Sequence, residues 1–263
     1  MPKFSANISM MFTEVPFLDR FAAAKGAGFD GIEFQFPYDL DLAELKEVAE
    51  VTGLPILVIN HFVGDLQQGG PGIAALPSAE DEFKRATELT YKYAEVLRPL
   101  TVNVLAGSPP VEDFGRERCL DVLAANLRTV ADTMVGIGVR VTTEAINPID
   151  RPTFLLSSTD QALDVIGRAG YPDIANLGIQ YDLYHAQIME GDLVRTMEAN
   201  LPHIGHIQFA DTPGRHEPGT GEINFPYVFA ALDRMGWTGF VGAEYVPSGA
   251  TGASLEWLKS EAK

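Results

Sequence analysis

Four short apolar runs in the second half of the chain each end on a residue that can offer oxygen to a cation. VRVTTE ends in Glu144, NLGIQYD in Asp182, IGHIQ in Gln208 and GFVGAE in Glu244. Taken singly these have ordinary explanations: an acid at a strand end is commonly the N-cap of the next helix, and Asp182 alone reads equally well that way. Gln208 alone could simply satisfy backbone groups. Their joint occurrence on four consecutive strand ends points to a metal centre. Three carboxylates and a carboxamide oxygen meeting at one point repel strongly unless a cation neutralises them. Such an oxygen set suits Mg2+ or Mn2+ better than zinc, which prefers nitrogen and sulfur.

Three further residues are candidates for substrate contact. His185 lies three residues beyond Asp182 in YDLYHAQ, close to one helical turn, where it can donate to a substrate oxygen or carboxylate. The alternative is a partly buried histidine satisfied by a neighbouring carbonyl. Arg215 offers a planar fork suited to a carboxylate, against the alternative of a solvated loop arginine. His61, after Asn60 at the end of the third strand, stands equally between facing the cavity and another role.

These residues need elements to aim them. Short β-rich runs alternate with longer helical patterns, the signature of repeated βα units with a parallel sheet. Strands are expected at Phe4 to Ser9, Gly31 to Phe34, Pro55 to Asn60, Thr101 to Leu105, Arg140 to Glu144, Leu177 to Asp182, Ile204 to Gln208 and Phe240 to Glu244. Helical patterns lie at Phe17 to Gly26, Leu42 to Thr52, Ala79 to Leu97, Arg116 to Gly136, Ser158 to Ala169, Leu193 to Asn200 and Phe225 to Met235. Ser158 reads as an N-cap, and Gly136 and Gly236 as helix stops. Eight strands without a linker predict an α/β fold, a single-domain (β/α)8 TIM barrel over residues 1–263, whose active site is built at the C-terminal strand ends. Two long glycine-rich connections, Val63 to Leu76 and Asp211 to Asn224, are expected to be lids or binding loops.

Composition narrows the function. Lys and Arg number 19 against 36 Asp and Glu, a net charge of −17, with no basic block, so no nucleic-acid partner is expected. Neither G-x-G-x-x-G after the first strand nor a P-loop occurs, so both common phosphate cradles are missing. No apolar run of membrane-spanning length is present, and the start MPKFSANISMMF carries no secretory pattern, so a cytoplasmic location is expected. The single cysteine, Cys119, is expected to be a small buried hydrophobe. Association with further copies of the chain is left open.

At this point the sequence resembles the hydroxypyruvate isomerase family of the xylose-isomerase-like TIM barrels, a superfamily that also holds ketose 3-epimerases and endonuclease IV. The likeness is carried by TEAINPIDRP, QYDLYHAQIMEGDL, HIGHIQFADTPGRHEPGTGEINF and GFVGAEYVP, and more loosely by FDGIEFQFPYD and VINHFVGDLQQGGPGIA. It implies a divalent metal, Mg2+ or Mn2+, held by Glu144, Asp182, Gln208 and Glu244, with Glu144 and Glu244 doubling as acid/base groups. A glutamine as third ligand looks like this family, whereas ketose epimerases usually have histidine there. The implied substrate is a small hydroxycarbonyl or sugar acid, foremost hydroxypyruvate converted to tartronate semialdehyde. A 2-oxo-tetronate isomerase, a ketose 3-epimerase, an endonuclease IV-like phosphodiesterase and a non-catalytic sugar-binding barrel are the alternatives. The chain departs from the family pattern after the third strand. A Gly-Glu-Arg-Gly stretch is expected there, but Gly69, Gly70, Pro71 and Gly72 stand in its place, so an arginine for a substrate carboxylate is missing. His61 and Phe62 also stand where small or aliphatic residues with proline are more usual.

Overall fold

Side chains alternate across a strand, so a run buried on both faces meets helices outside and the barrel axis inside. In the computed structural model, which describes residues 2–261, eight such strands are β1 (Lys3–Asn7), β2 (Gly31–Glu33), β3 (Val58–Asn60), β4 (Thr101–Asn103), β5 (Arg140–Glu144), β6 (Leu177–Asp182), β7 (Ile204–Phe209) and β8 (Phe240–Ala243). All named pairs are parallel, in the order β2-β1-β8-β7-β6-β5-β4-β3. The remaining seam is closed by a parallel bridge between Ile32 and Ile56 and by hydrogen bonds from Leu57 N to Ile32 O (2.7 Å) and Phe34 N to Val58 O (3.1 Å). This is the (β/α)8 barrel that the eight-strand pattern predicts.

Around it stand α1 (Asp19–Ala27), α2 (Leu42–Thr52), α3 (Glu80–Leu97), α4 (Val111–Phe114), α5 (Arg116–Met134), α6 (Thr159–Ala169), α7 (Leu183–Met189), α8 (Leu193–Asn200), α9 (Phe225–Met235) and α10 (Glu256–Glu261). Ser158 caps α6 and the left-handed Gly236 stops α9, as expected. Gly136 does not stop α5. The chain continues through a 3-10 turn over Val135–Ile137, and Gly138 takes the left-handed position instead. Helices α4, α7 and α10 have no counterpart in the sequence reading, being too short to display a period. α10 brings Trp257 against Phe4 and Phe209 (ring centroids 5.1 and 5.2 Å), sealing one side of the barrel with aromatic surface. Cys119 is buried on α5.

The barrel interior is polar, where such barrels usually hold branched aliphatics. Glu33 is fully buried at its centre, with His206 Nε2 2.8 Å from one oxygen and Gln208 Nε2 donating to the other at 2.7 Å. Two glycines make this arrangement fit. The β6–β7 register shifts after Ile179 and Ile204, leaving Gly205 as the extra residue, and His206 and Gln208 then pair with Gln180 and Asp182. At Gly242 a Cβ atom would stand 2.5 Å from Glu33 Oε2. Gly242→Ala is therefore expected to destabilise the fold by about 1–3 kcal/mol through overpacking, measured by urea or thermal unfolding.

Candidate active site

Register places the four strand-end groups on one rim. Glu144 closes β5 beside Gln180, Asp182 closes β6 beside Gln208 of β7, and Glu244 follows β8 directly, its N–H donating to Phe209 O. All four side chains are buried.

Glu144 and Asp182 are each held through one oxygen and Glu244 through both. Glu144 Oε2 accepts from Asn103 Nδ2 and Gln180 Nε2, both at 2.9 Å. Glu244 Oε1 accepts from Asn7 Nδ2 (2.8 Å) and Gln35 Nε2 (3.1 Å), while its Oε2 pairs with Arg215 at 2.6 Å. Asp182 takes the capping role through one oxygen and leaves the other free. Its Oδ1 caps α7 by accepting from Tyr184 N (2.8 Å), whereas its buried Oδ2 has no hydrogen-bond partner. That oxygen lies 3.5 Å from His185 Nε2 and 3.7 Å from Arg215. Ligand atoms of Glu144, Asp182 and His185 all fall within 4.8 Å of one another, a group that could hold a metal ion. Gln208 Oε1 accepts from Gln180 Nε2 at 2.7 Å.

Burial, then repulsion from Glu244 and Asp182, pushes the Glu144 carboxyl well above the carboxylate range. Burial likewise raises Asp182 to about 6 and Glu244 to about 7, against the pull of Arg215. The guanidinium itself stays charged: burial opposes this, but Glu244, Asp182 and Glu144 outweigh it. Burial, reinforced by Arg215, drops His185 to about 3, so its imidazole is neutral.

Arg215 reaches the site from the Asp211–Asn224 loop in a left-handed conformation (φ 58°). The loop is gathered around the buried Asp211 carboxylate, which accepts from the backbone N–H groups of Thr212, Gly219, Gly221 and Ile223. The Arg215 guanidinium lies over the Tyr184 ring, 5.2 Å from its centroid. A cavity of about 120 Å³ opens above, lined by Glu144, Glu244, His185 and Arg215, with Leu66 and Gln67 of the first glycine-rich loop on its far side. His61 is not brought to it. Its ring turns into α3, with Nε2 3.0 Å from Thr87 Oγ1 and the ring stacked on Phe83 (4.7 Å). Sequence reasoning missed the four carboxamides that grip the glutamates, because a lone Asn or Gln on a strand carries no motif. It also missed Arg151, exposed at the cavity mouth although part of the recognised stretch TEAINPIDRP.

A parallel barrel with a buried acid cluster, a neutral histidine and an arginine at the C-terminal rim is an enzyme-type centre of the TIM-barrel class. The chain belongs to the xylose isomerase-like TIM barrel family, whose profile matches residues 21–261. It is similar to the hydroxypyruvate isomerase of Escherichia coli (43% identical over 258 residues, 98% of each chain). It is similar also to the 2-oxo-tetronate isomerase of Cupriavidus necator (41% over 259 residues, 98% of each). Among solved structures, one titled AP endonuclease, family 2, from Brucella melitensis superposes with a TM-score of 0.93 at 38% identity, covering 99% of both chains.

A carboxyl whose folded pKa is raised contributes stability that is complete below its unfolded value and lost as pH rises through the folded one. For Asp182 and Glu244 that window runs from about 4 to about 7. Metal-free protein is therefore expected to lose thermal stability across it, and added Mn2+ to raise Tm more at pH 8 than at pH 5. Equal gains at both would show that these carboxylates do not bind the ion.

Proposed function

We propose that this chain is a divalent-metal-dependent isomerase that moves the carbonyl of a short 2-oxo acid to the adjacent carbon, with hydroxypyruvate and tartronate semialdehyde as the pair. The observation that carries this reading is the matched pair of glutamates. Glu144 and Glu244 line one cavity, each anchored through one oxygen by two carboxamides, and burial raises both above the carboxylate range, Glu244 to about 7, which suits groups that take and return protons.

The residues fit a metal. A buried Asp182 oxygen without a partner, beside two raised glutamates, is a donor set short of a cation. Glu144, Asp182, Gln208 and Glu244 would hold it, and their oxygen chemistry favours Mg2+ or Mn2+. A divalent cation there supplies Lewis-acid polarisation of the substrate's carbonyl and hydroxyl oxygens. One glutamate removes a proton from C3 of hydroxypyruvate, leaving an enediolate, and the other delivers a proton to C2. The hydroxyl proton passes from O3 to O2, so the product differs only in the place of its carbonyl. Arg215 and His185 meet the negative charge that develops on oxygen. Arg151 at the mouth offers a carboxylate the positive charge that Pro71 does not supply in the first loop.

A second reading, 2-oxo-tetronate as substrate, is favoured by the Cupriavidus necator relative and requires room for one more carbon. An endonuclease activity, the name carried by the Brucella melitensis structure, is not supported by the charge and histidines of this chain. A net charge of −17 opposes binding to a phosphate backbone, and of the five histidines only His185 lines the cavity. The buried free thiol of Cys119 fits a reducing, cytoplasmic setting.

Proton NMR in D2O of metal-stripped protein, with and without Mg2+ or Mn2+, tests the reading against hydroxypyruvate, 2-oxo-tetronate and a panel of ketoses. Metal-dependent exchange with a moved carbonyl is expected for a 2-oxo acid. Exchange with inverted configuration on a ketose would make the chain an epimerase instead. Glu244→Gln is expected to lower kcat by about 10²- to 10⁴-fold with substrate binding retained, and unchanged activity would remove Glu244 from the mechanism.

A further inference from the structure

Which nitrogen of His185 carries the proton decides what the ring can do, and Asn147 fixes it. The oxygen and nitrogen ends of an amide are assigned by their partners. Asn147 is fully buried, and its Oδ1 accepts from the backbone N–H groups of Ile149 (3.0 Å) and Asp150 (2.9 Å). Backbone donors cannot reverse, so this end is the oxygen. The Nδ2 end then faces Asp150 Oδ2 at 3.2 Å and His185 Nδ1 at 2.7 Å. Asn147 N, another fixed donor, lies 3.4 Å from the same Nδ1. Facing two N–H groups, Nδ1 must accept, and in a neutral ring the proton then sits on Nε2. That Nε2 lies 3.5 Å from Asp182 Oδ2 and 3.9 Å from Glu144 Oε1.

We propose that Asn147 is a positioning residue that locks His185 in its neutral Nε2–H form, making the ring a hydrogen-bond donor to a substrate oxygen and excluding it from both the metal ligands and the bases. Proximity alone groups His185 with Glu144 and Asp182 as a metal set. Its near nitrogen, however, has no free lone pair, which leaves coordination to the oxygens of the strand ends. With Nδ1 held as an acceptor, the ring carries a single proton and no charge. A neutral imidazole can stabilise charge growing on a substrate oxygen without losing its proton at neutral pH. The catalytic part of this assignment rests on the isomerase reading above, whereas the tautomer does not.

The test is a proton–nitrogen correlation spectrum of the imidazoles in metal-free, 15N-histidine-labelled wild-type protein, with His185→Gln identifying the signal. The Nε2-protonated form is expected at pH 7, unchanged on adding Mg2+. Asn147→Asp preserves the turn but replaces the donor to Nδ1 by an acceptor, and the ring is expected to switch to Nδ1–H. With hydroxypyruvate this variant should lose about 10- to 100-fold in kcat, the usual scale for a residue that orients a histidine, with a smaller change in KM. A wild-type proton on Nδ1, or loss of the Nε2 proton when Mg2+ is added, overturns the assignment. Wild-type kcat in Asn147→Asp overturns the positioning role. Absence of turnover in the wild type defeats the isomerase reading alone, since the tautomer is read without substrate.

Discussion

Burying Glu144, Asp182 and Glu244 together at one rim is the constraint on which the rest of the molecule turns. Removing even one carboxylate from water costs several kcal/mol unless it is paired or hydrogen-bonded. The barrel answers with amides and one guanidinium: Asn103 and Gln180 on Glu144, Asn7, Gln35 and Arg215 on Glu244, and the first turn of α7 on Asp182. Amides neutralise nothing, but they donate without competing for the cavity side of each acid. That choice makes the barrel interior polar, and polarity spreads downward to Glu33, which requires His206 and Gln208 as partners in turn.

Backbone irregularities follow from the same demand. The extra residue at Gly205 sets the register that places His206 and Gln208 beside Gln180 and Asp182. Gly242 clears the space that Glu33 occupies. Outside the barrel, Asp211 binds four backbone N–H groups and turns a long glycine-rich loop into a fixed arm for Arg215. A charged group at the end of a mobile loop would lose entropy on reaching the acids. Here the loop is already ordered around a buried carboxylate, so the ion pair with Glu244 forms at little further cost.

The fold was legible because strand-length apolar runs and helical periods alternate over the whole chain, and α2, α8 and α9 begin and end where the sequence places them. Strands β3 and β4 are shorter than the apolar runs that contain them. The four strand-end groups could be found from position alone. The residues that hold them could not, since Asn7, Gln35, Asn103 and Gln180 acquire meaning only when four separate strands meet. His61 illustrates the converse: a histidine beside a strand end looks poised for the cavity, yet Thr87 and Phe83 of α3, some two dozen residues along, draw its ring the other way. Such long-range competition leaves no local pattern.

Charge at the rim connects the architecture to the proposed chemistry. With all three carboxylates ionised, one guanidinium would leave an excess of two negative charges beside a neutral His185, and it is this excess that pushes the acids toward their protonated forms. A divalent cation is the smallest addition that cancels this excess, and it does so at the point where Asp182 Oδ2 lacks a partner. Such a cation would also let the anionic 2-oxo acid proposed as substrate approach a protein carrying a net charge of −17. In that balanced site a protonated histidine would bring a surplus charge, and a deprotonated nitrogen facing the acids would add another acceptor. A neutral N–H donor does neither, which is why the tautomer of His185 matters as much as its position.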